Sequence, residues 1–223
     1  MYVTIPSDHV EQNLPLPNAD PIAPTQSRAI KAGAYLFHEG DDATRIYQVV
    51  SGVLRLTRVM EDGRRQVIAF GYPGDIVGFP ACGQHHTDCN ALTPATVIPY
   101  RRDMLETGEG DPELHRTLLQ AALREISNMQ DHFMMLGRKS ATEKVSSFLS
   151  VLADRVGAPM GNYTQVDLPM SRSDIADFLG LTTETISRTL TQLRKSRIIA
   201  LENIHTVIIL KPETLRAMAQ NDD

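Results

Sequence analysis

Glu184, Ser187 and Arg188 stand three and four residues apart in a stretch with helical periodicity, so they project together from successive turns. Their chemistry matches the edges of base pairs. A guanidinium grips O6 and N7 of guanine through two bonds, a carboxylate accepts from a cytosine or adenine amino group, and a hydroxyl bonds either way. The plainer reading of Glu184 and Arg188 is a solvated i,i+4 ion pair. Around them, Ser171, Arg172, Thr182, Thr183, Thr191, Arg194 and Lys195 are expected at a nucleic-acid backbone, where hydroxyls and cations meet phosphate oxygens. Thr183 and Thr191 also suit thymine methyls, and Arg197 adds charge.

The flanking residues supply the elements that would hold this set. Ser171 is a helix N-cap, followed by Ile175, Ala176 and Leu179 at helical spacing; Gly180 stops the helix and Leu181 packs the turn. Thr182 or Thr183 caps a second helix that turns Ile186, Leu190 and Leu193 inward. Two helices across a glycine turn make a helix-turn-helix, whose second helix offers its first turns to a DNA major groove. Ile199–Leu201, a turn at Glu202–His205 and Thr206–Leu210 predict a β-hairpin wing, with His205 in its turn, and 212–219 a last short helix. Upstream, 141–156 reads as an amphipathic helix burying Val145, Phe148, Leu149 and Leu152, ended by Gly157 and Pro159; Gln165–Leu168 is strand-like.

Two interleaved series of sevens run through 111–138. Leu119, Ile126 and Phe133 form one, and Ala122, Met129 and Leu136 the other. Together they make one stripe of a long helix, the pattern of a coiled-coil seam between two chains. His132 is expected to be a solvated helix residue rather than a ligand.

From Ala32 to about Arg102 the pattern changes to short strands: Tyr35-Leu36-Phe37, Ile46–Val50, Val53–Val59, Gln66–Phe70, Ile76–Gly78 and Ala95–Tyr100. Turn residues separate them, as in an all-β sandwich or barrel. Asp62-Gly63 marks a hairpin, because glycine takes the positive φ such a turn requires.

A second group with chemical potential is Cys82, His85, His86 and Cys89, a C-x2-H-H-x2-C pattern on what reads as one loop. The residue types suit zinc. An ordinary loop, a thiol or disulfide switch and a metal site all remain open for it. These are the only two cysteines, so no disulfide framework is available.

Composition bounds the rest. The net charge of −5 is unevenly spread: residues 138–223 carry 11 Lys/Arg against 10 Asp/Glu, and residues 1–137 carry 11 against 17. Acidity therefore belongs to the N-terminal part, and what DNA needs is a local basic face. Pro6, Pro15, Pro17, Pro21 and Pro24 make residues 1–27 an extended or disordered arm. No signal-type or membrane-spanning apolar run occurs, which predicts a cytoplasmic protein without membrane contact. There is no Walker-type loop, no G-x-S-x-G and no H-E-x-x-H, and Asp41-Asp42 and Glu61-Asp62 only flank turns, so the chain is not expected to be an enzyme. A small-molecule binding module with a helical tail is a further reading, which the Glu184, Ser187 and Arg188 set disfavours.

From about residue 30 to the end the sequence resembles the Crp/Fnr regulators. Leu36-Phe37 with Gly40-Asp41, Gly52 with Val53–Leu56, and Gly71-Tyr72-Pro73-Gly74-Asp75 with Gly78 are similar to that family's cyclic-nucleotide-binding-type β-roll. Leu181-Thr182-Thr183-Glu184-Thr185-Ile186-Ser187-Arg188 is close to the recognition text of its Fnr/FixK branch. The resemblance implies an α+β fold with a β-roll at 28–110, a dimerisation helix at 111–138 and a winged helix-turn-helix at 139–223. It implies a homodimer that binds double-stranded DNA at TTGA-type inverted repeats through Glu184, Ser187 and Arg188, and activates transcription by contacting RNA polymerase.

Two departures shape the expected control. Cyclic-nucleotide-binding members carry an acidic residue soon after the Gly78 position and an Arg-Ser/Thr pair downstream. Here Phe79-Pro80 follow Gly78, the later segment reads Gln84-His85-His86-Thr87, and no arginine lies between Arg65 and Arg101. No cyclic nucleotide is expected. The arm lacks the cysteines that hold an iron–sulfur cluster in Fnr proper, so no cofactor is predicted. The alternative function is a DNA-binding regulator that senses metal or thiol redox state through Cys82, His85, His86 and Cys89.

Overall fold

The computed structural model describes residues 27–80, 82–108 and 111–220. The proline-rich arm expected at 1–27 lies almost wholly outside the described residues. The chain divides into two compact units, with the boundary between Ser127 and Asn128.

Among the described residues eight strands build the first unit: β1 (Arg28–Ile30), β2 (Tyr35–Phe37), β3 (Arg45–Ser51), β4 (Leu54–Val59), β5 (Arg65–Gly71), β6 (Ile76–Val77), β7 (Asp88–Ala91) and β8 (Ala95–Arg101). They pair as two four-stranded sheets, ordered β1-β8-β3-β6 and β2-β7-β4-β5, with antiparallel neighbours throughout. Alternation places Leu36, Val49, Leu54, Val67, Phe70, Ala91 and Val97 in the buried core. The hairpin at Asp62-Gly63 forms: β4 and β5 pair from Leu54↔Gly71 to Val59↔Arg65, with a bulge that shifts the register between Leu56 and Thr57, and Gly63, at φ +81°, donates its N–H to Met60 O at 2.9 Å.

A short helix α1 (Arg102–Glu106) precedes α2 (Pro112–Arg138), which spans the junction of the units. Leu114 and Leu118 pack with Ile46 and Ile76, and Phe79, Tyr100, Met104, Leu105 and Ala121 complete that cluster.

The second unit continues with α3 (Ala141–Val156), β9 (Ala158–Met160), β10 (Tyr163–Asp167), α4 (Arg172–Leu179), α5 (Thr183–Lys195), β11 (Ile199–Leu201), β12 (Thr206–Ile209) and α6 (Pro212–Gln220). Its sheet runs β11-β12-β10-β9. Val145, Phe148, Leu149 and Leu152 of α3 are all buried. Lys139 holds α6 at its end, donating from Nζ to Ala219 O at 2.8 Å and to Ser147 Oγ at 2.9 Å.

Two expectations fail. Cys89 is not on a loop with Cys82 but inside β7, opposite Phe37 of β2 and Leu56 of β4. Nothing in Asp88-Cys89-Asn90-Ala91 marks a strand locally; its two partner strands make it one. His132 is not in solvent: it is 7% exposed, its ring stacked on Phe178 at 4.5 Å. No helix among the described residues is long and apolar enough to cross a membrane.

Candidate nucleic-acid interface

Ser171 caps α4 in a capping box. Its hydroxyl accepts from Asp174 N–H at 3.0 Å and donates to Asp174 Oδ2 at 2.7 Å, while its own N–H donates to the same carboxylate at 3.0 Å. Gly180, at φ +61° and ψ 42°, ends the helix in the left-handed region that favours glycine. Thr182 then caps α5, its hydroxyl accepting from Thr185 N–H at 3.1 Å.

Beneath these caps α4 packs on α5, and Ile175, Phe178 and Leu179 of the one and Ile186, Leu190 and Leu193 of the other are all buried. Each such side chain contributes roughly 1.5–3 kcal/mol of burial. The two helices are therefore fixed to one another through an apolar seam, and the opposite face of α5 is left to solvent.

Glu184, Ser187 and Arg188 all occupy that exposed face. Glu184 and Arg188 carry no hydrogen bond or ion pair to any described residue, so the surface ion pair that competes with base recognition does not form. Ser187 Oγ donates to Thr183 O at 2.9 Å and Thr191 Oγ1 to Ser187 O at 2.8 Å, bonds that rotation of either hydroxyl releases. Thr182, Thr183, Arg194 and Lys195 are exposed and Thr191 half-buried on the same helix and its cap. The cations stand in the last turn, where they complement the helix dipole.

Two of the expected backbone contacts are less open. The Ser171 hydroxyl is committed to its cap. Arg172 is half-buried, with Nη1 enclosed and without a partner.

The wing turn is held to the segment that enters α4. Leu168 N–H donates to His205 O at 2.6 Å, His205 Nδ1 lies 3.1 Å from Leu168 O, and Asn203 Oδ1 accepts from His205 N–H at 2.7 Å.

On α2 the expected seam is open in this single chain. Leu119, Ile126, Met129 and Phe133 are exposed, Phe133 by 76%, and Ala122 and Leu136 are half-buried. Leu123 and Met134 are equally exposed and were missed, because they flank the two series of sevens rather than belong to them.

The cysteine and histidine group disperses. Cys82 is exposed at φ +52° and His86 is exposed, whereas Cys89 is buried and burial pushes its thiol far above the usual range. His85 turns inward and stacks on Phe37 with ring centroids 3.7 Å apart, and burial lowers its pKa. Among the described residues no three His, Cys, Asp or Glu side chains are placed to hold a metal ion. Both cysteines are free. An exposed thiol and one sealed in a sheet do not make the paired switch that the spacing suggested.

Comparison with known proteins agrees with this geometry. The model of the Crp-like helix-turn-helix domain matches residues 143–218, and that of the cyclic nucleotide-binding domain matches residues 27–107. The nitrogen fixation regulation protein FixK of Rhizobium meliloti is 40% identical over 189 residues, covering 84% of each chain. FixK of Bradyrhizobium diazoefficiens is 42% identical over 190 residues, 84% of this chain and 79% of that one. The solved structure of FixK2 from Bradyrhizobium japonicum superposes with a TM-score of 0.79 at 32% identity, covering 89% of this chain and 98% of that one.

Proposed function

From the premise that the chain belongs to the Crp/Fnr family, in its FixK-like branch, and is a DNA-binding transcription regulator rather than an enzyme, we propose how it reads DNA. It is a cytoplasmic homodimer and mainly an activator, binding TTGA-type inverted repeats and contacting RNA polymerase. Residues 28–110 form the β-roll, 111–138 the dimerisation helix and 139–223 the DNA-binding domain.

In this reading two chains pair along Leu119, Ala122, Ile126, Met129, Phe133 and Leu136. Pairing sets two α5 helices about one DNA turn apart, each in a major groove. Glu184, Ser187 and Arg188 meet base edges; Thr182, Thr183, Thr191, Arg194 and Lys195 meet the backbone, with Arg172 and Ser171 at the start of α4. The observation that carries the reading is the exposed face of α5, where Glu184 and Arg188 stand capped, oriented and unpaired.

No cyclic nucleotide takes part. The space beside Gly78 is filled by the protein's own rings: a Cβ there would meet Phe37 at 3.1 Å and His85 at 3.2 Å, and no arginine lies between Arg65 and Arg101 to clamp a phosphate. No iron–sulfur cluster takes part either, since the chain has only Cys82 and Cys89 and the latter is sealed in β7.

Fluorescence anisotropy of the purified protein on a TTGA-N6-TCAA duplex tests the proposal against a scrambled duplex. Tight, selective binding with nothing added is expected. Equal binding to both duplexes would overturn it.

A further inference from the structure

The C-terminal turns of α2 do two jobs at once. Phe133 lies open on the seam side, while its neighbour His132 is buried against the helix-turn-helix. The imidazole of His132 stacks on the ring of Phe178 at 4.5 Å and 26°, and it also hydrogen-bonds the Phe178 backbone. Phe178 is fully buried near the end of α4 and leans on Phe148 of α3, ring centroids 5.9 Å apart at 57°. One turn further along α2, Leu136 reaches the turn of the motif: its Cδ2 lies 3.5 Å from where a Cβ on Gly180 would stand. Met135 between them is buried.

The grip therefore has two points, the last residues of α4 and the glycine turn that aims α5. A ring contact and a hydrogen bond from one side chain constrain both the distance and the rotation of α4 about α2. An apolar contact alone leaves rotation free.

We propose that His132 is the positioning residue that fixes the angle between the C-terminal turns of α2, which carry Phe133, and the helix-turn-helix, and so sets the half-site spacing that the dimer accepts. The proposal rests on the inverted-repeat reading above. His132 touches no base; it acts through Phe178 and the α4–α5 turn. The same helix carries the seam that joins the two copies, so an error in this angle is doubled across the dimer axis and appears as a mismatch in spacing.

The test compares affinities for inverted TTGA repeats with spacers of five, six, seven and eight bases. Wild type, His132→Ala, His132→Gln and Phe178→Leu are titrated, and thermal melts identify which variants are folded. Wild type is expected to favour one spacer sharply. His132→Ala is expected to flatten that preference by about tenfold, because the recognition helices are no longer held at one separation. His132→Gln, which keeps a donor for the Phe178 carbonyl, is expected to recover part of it, and Phe178→Leu to behave like His132→Ala. If His132→Ala does not fold, His132→Gln and Phe178→Leu decide the matter, the first flattening the preference in part and the second by about the full amount. An equal loss of affinity on every spacer, with the preference intact, would show a merely structural role and overturn the proposal. A wild type indifferent to spacing would overturn the inverted-repeat reading as well, which separates that failure from this one.

Discussion

Two helices of this chain leave a face without a partner, and the faces are chemically opposite. That of α5 is polar and charged, with Glu184 and Arg188 unpaired beside Ser187, and with Arg194 and Lys195 behind them. That of α2 is apolar, with Leu119, Leu123, Ile126, Met129, Phe133 and Met134 in solvent. A charged face without counter-ions of its own suits the phosphates and base edges of DNA. An apolar face at seven-residue spacing suits another copy of itself. The nature of an open face, more than its openness, names what covers it.

The sharpest way to break the comparison is to make the apolar face resemble the charged one. Phe133→Glu places two carboxylates in the seam. Loss of a central aromatic anchor typically costs 2–4 kcal/mol, so affinity for the full repeat should fall on the order of 100-fold. Sedimentation should show monomers, and the fold of each chain should change little, because Phe133 is 76% exposed in its own chain.

The buried row of α2 responds to acid where the open row does not. Burial lowers the His132 pKa to about 4, from 6.5. The unfolded chain then binds more protons between these values, so stability is fully present above pH 6.5 and is lost as pH falls towards 4. The whole effect is roughly 3 kcal/mol at most, and a chemical-denaturation series from pH 7.5 to 4 measures it. His132→Gln should remove that slope; an unchanged slope would place the acid sensitivity elsewhere.

Within the charged face, base contacts and backbone contacts should separate. Arg188→Ala is expected to cost roughly 1–3 kcal/mol on the repeat and much less on random DNA. Lys195→Ala should weaken both DNAs alike and lower the slope of log affinity against log salt by about 1. Titrations at several salt concentrations distinguish the two.

How much of this was legible depended on how local the signal was. The helix-turn-helix was readable because its caps, Ser171 and Thr182, its glycine turn and its apolar spacing all lie within 23 residues, Ser171 to Leu193. The open apolar stripe of α2 was readable because its period repeats. The second row of α2 was not. Leu114, Leu118 and Ala121 continue in register to His132 and Met135, but Glu125 and Asn128 interrupt them, so the row reads as polar and His132 as solvated. Only contact with Phe178, 46 positions along the chain, makes it a core residue. Cys89 was misplaced for the same reason, since β2 and β4, far away in sequence, turn its segment into a strand.

Recognition of guanine by Arg188 can be tested without relying on overall affinity. Wild type and Arg188→Ala are each titrated against the repeat and against a repeat whose TTGA guanines are replaced by adenine. The replacement is expected to cost wild type roughly 1–3 kcal/mol and to cost Arg188→Ala close to nothing, because the same contact is removed from either side. An equal cost in the two proteins would contradict it, and would assign recognition of that base to another side chain.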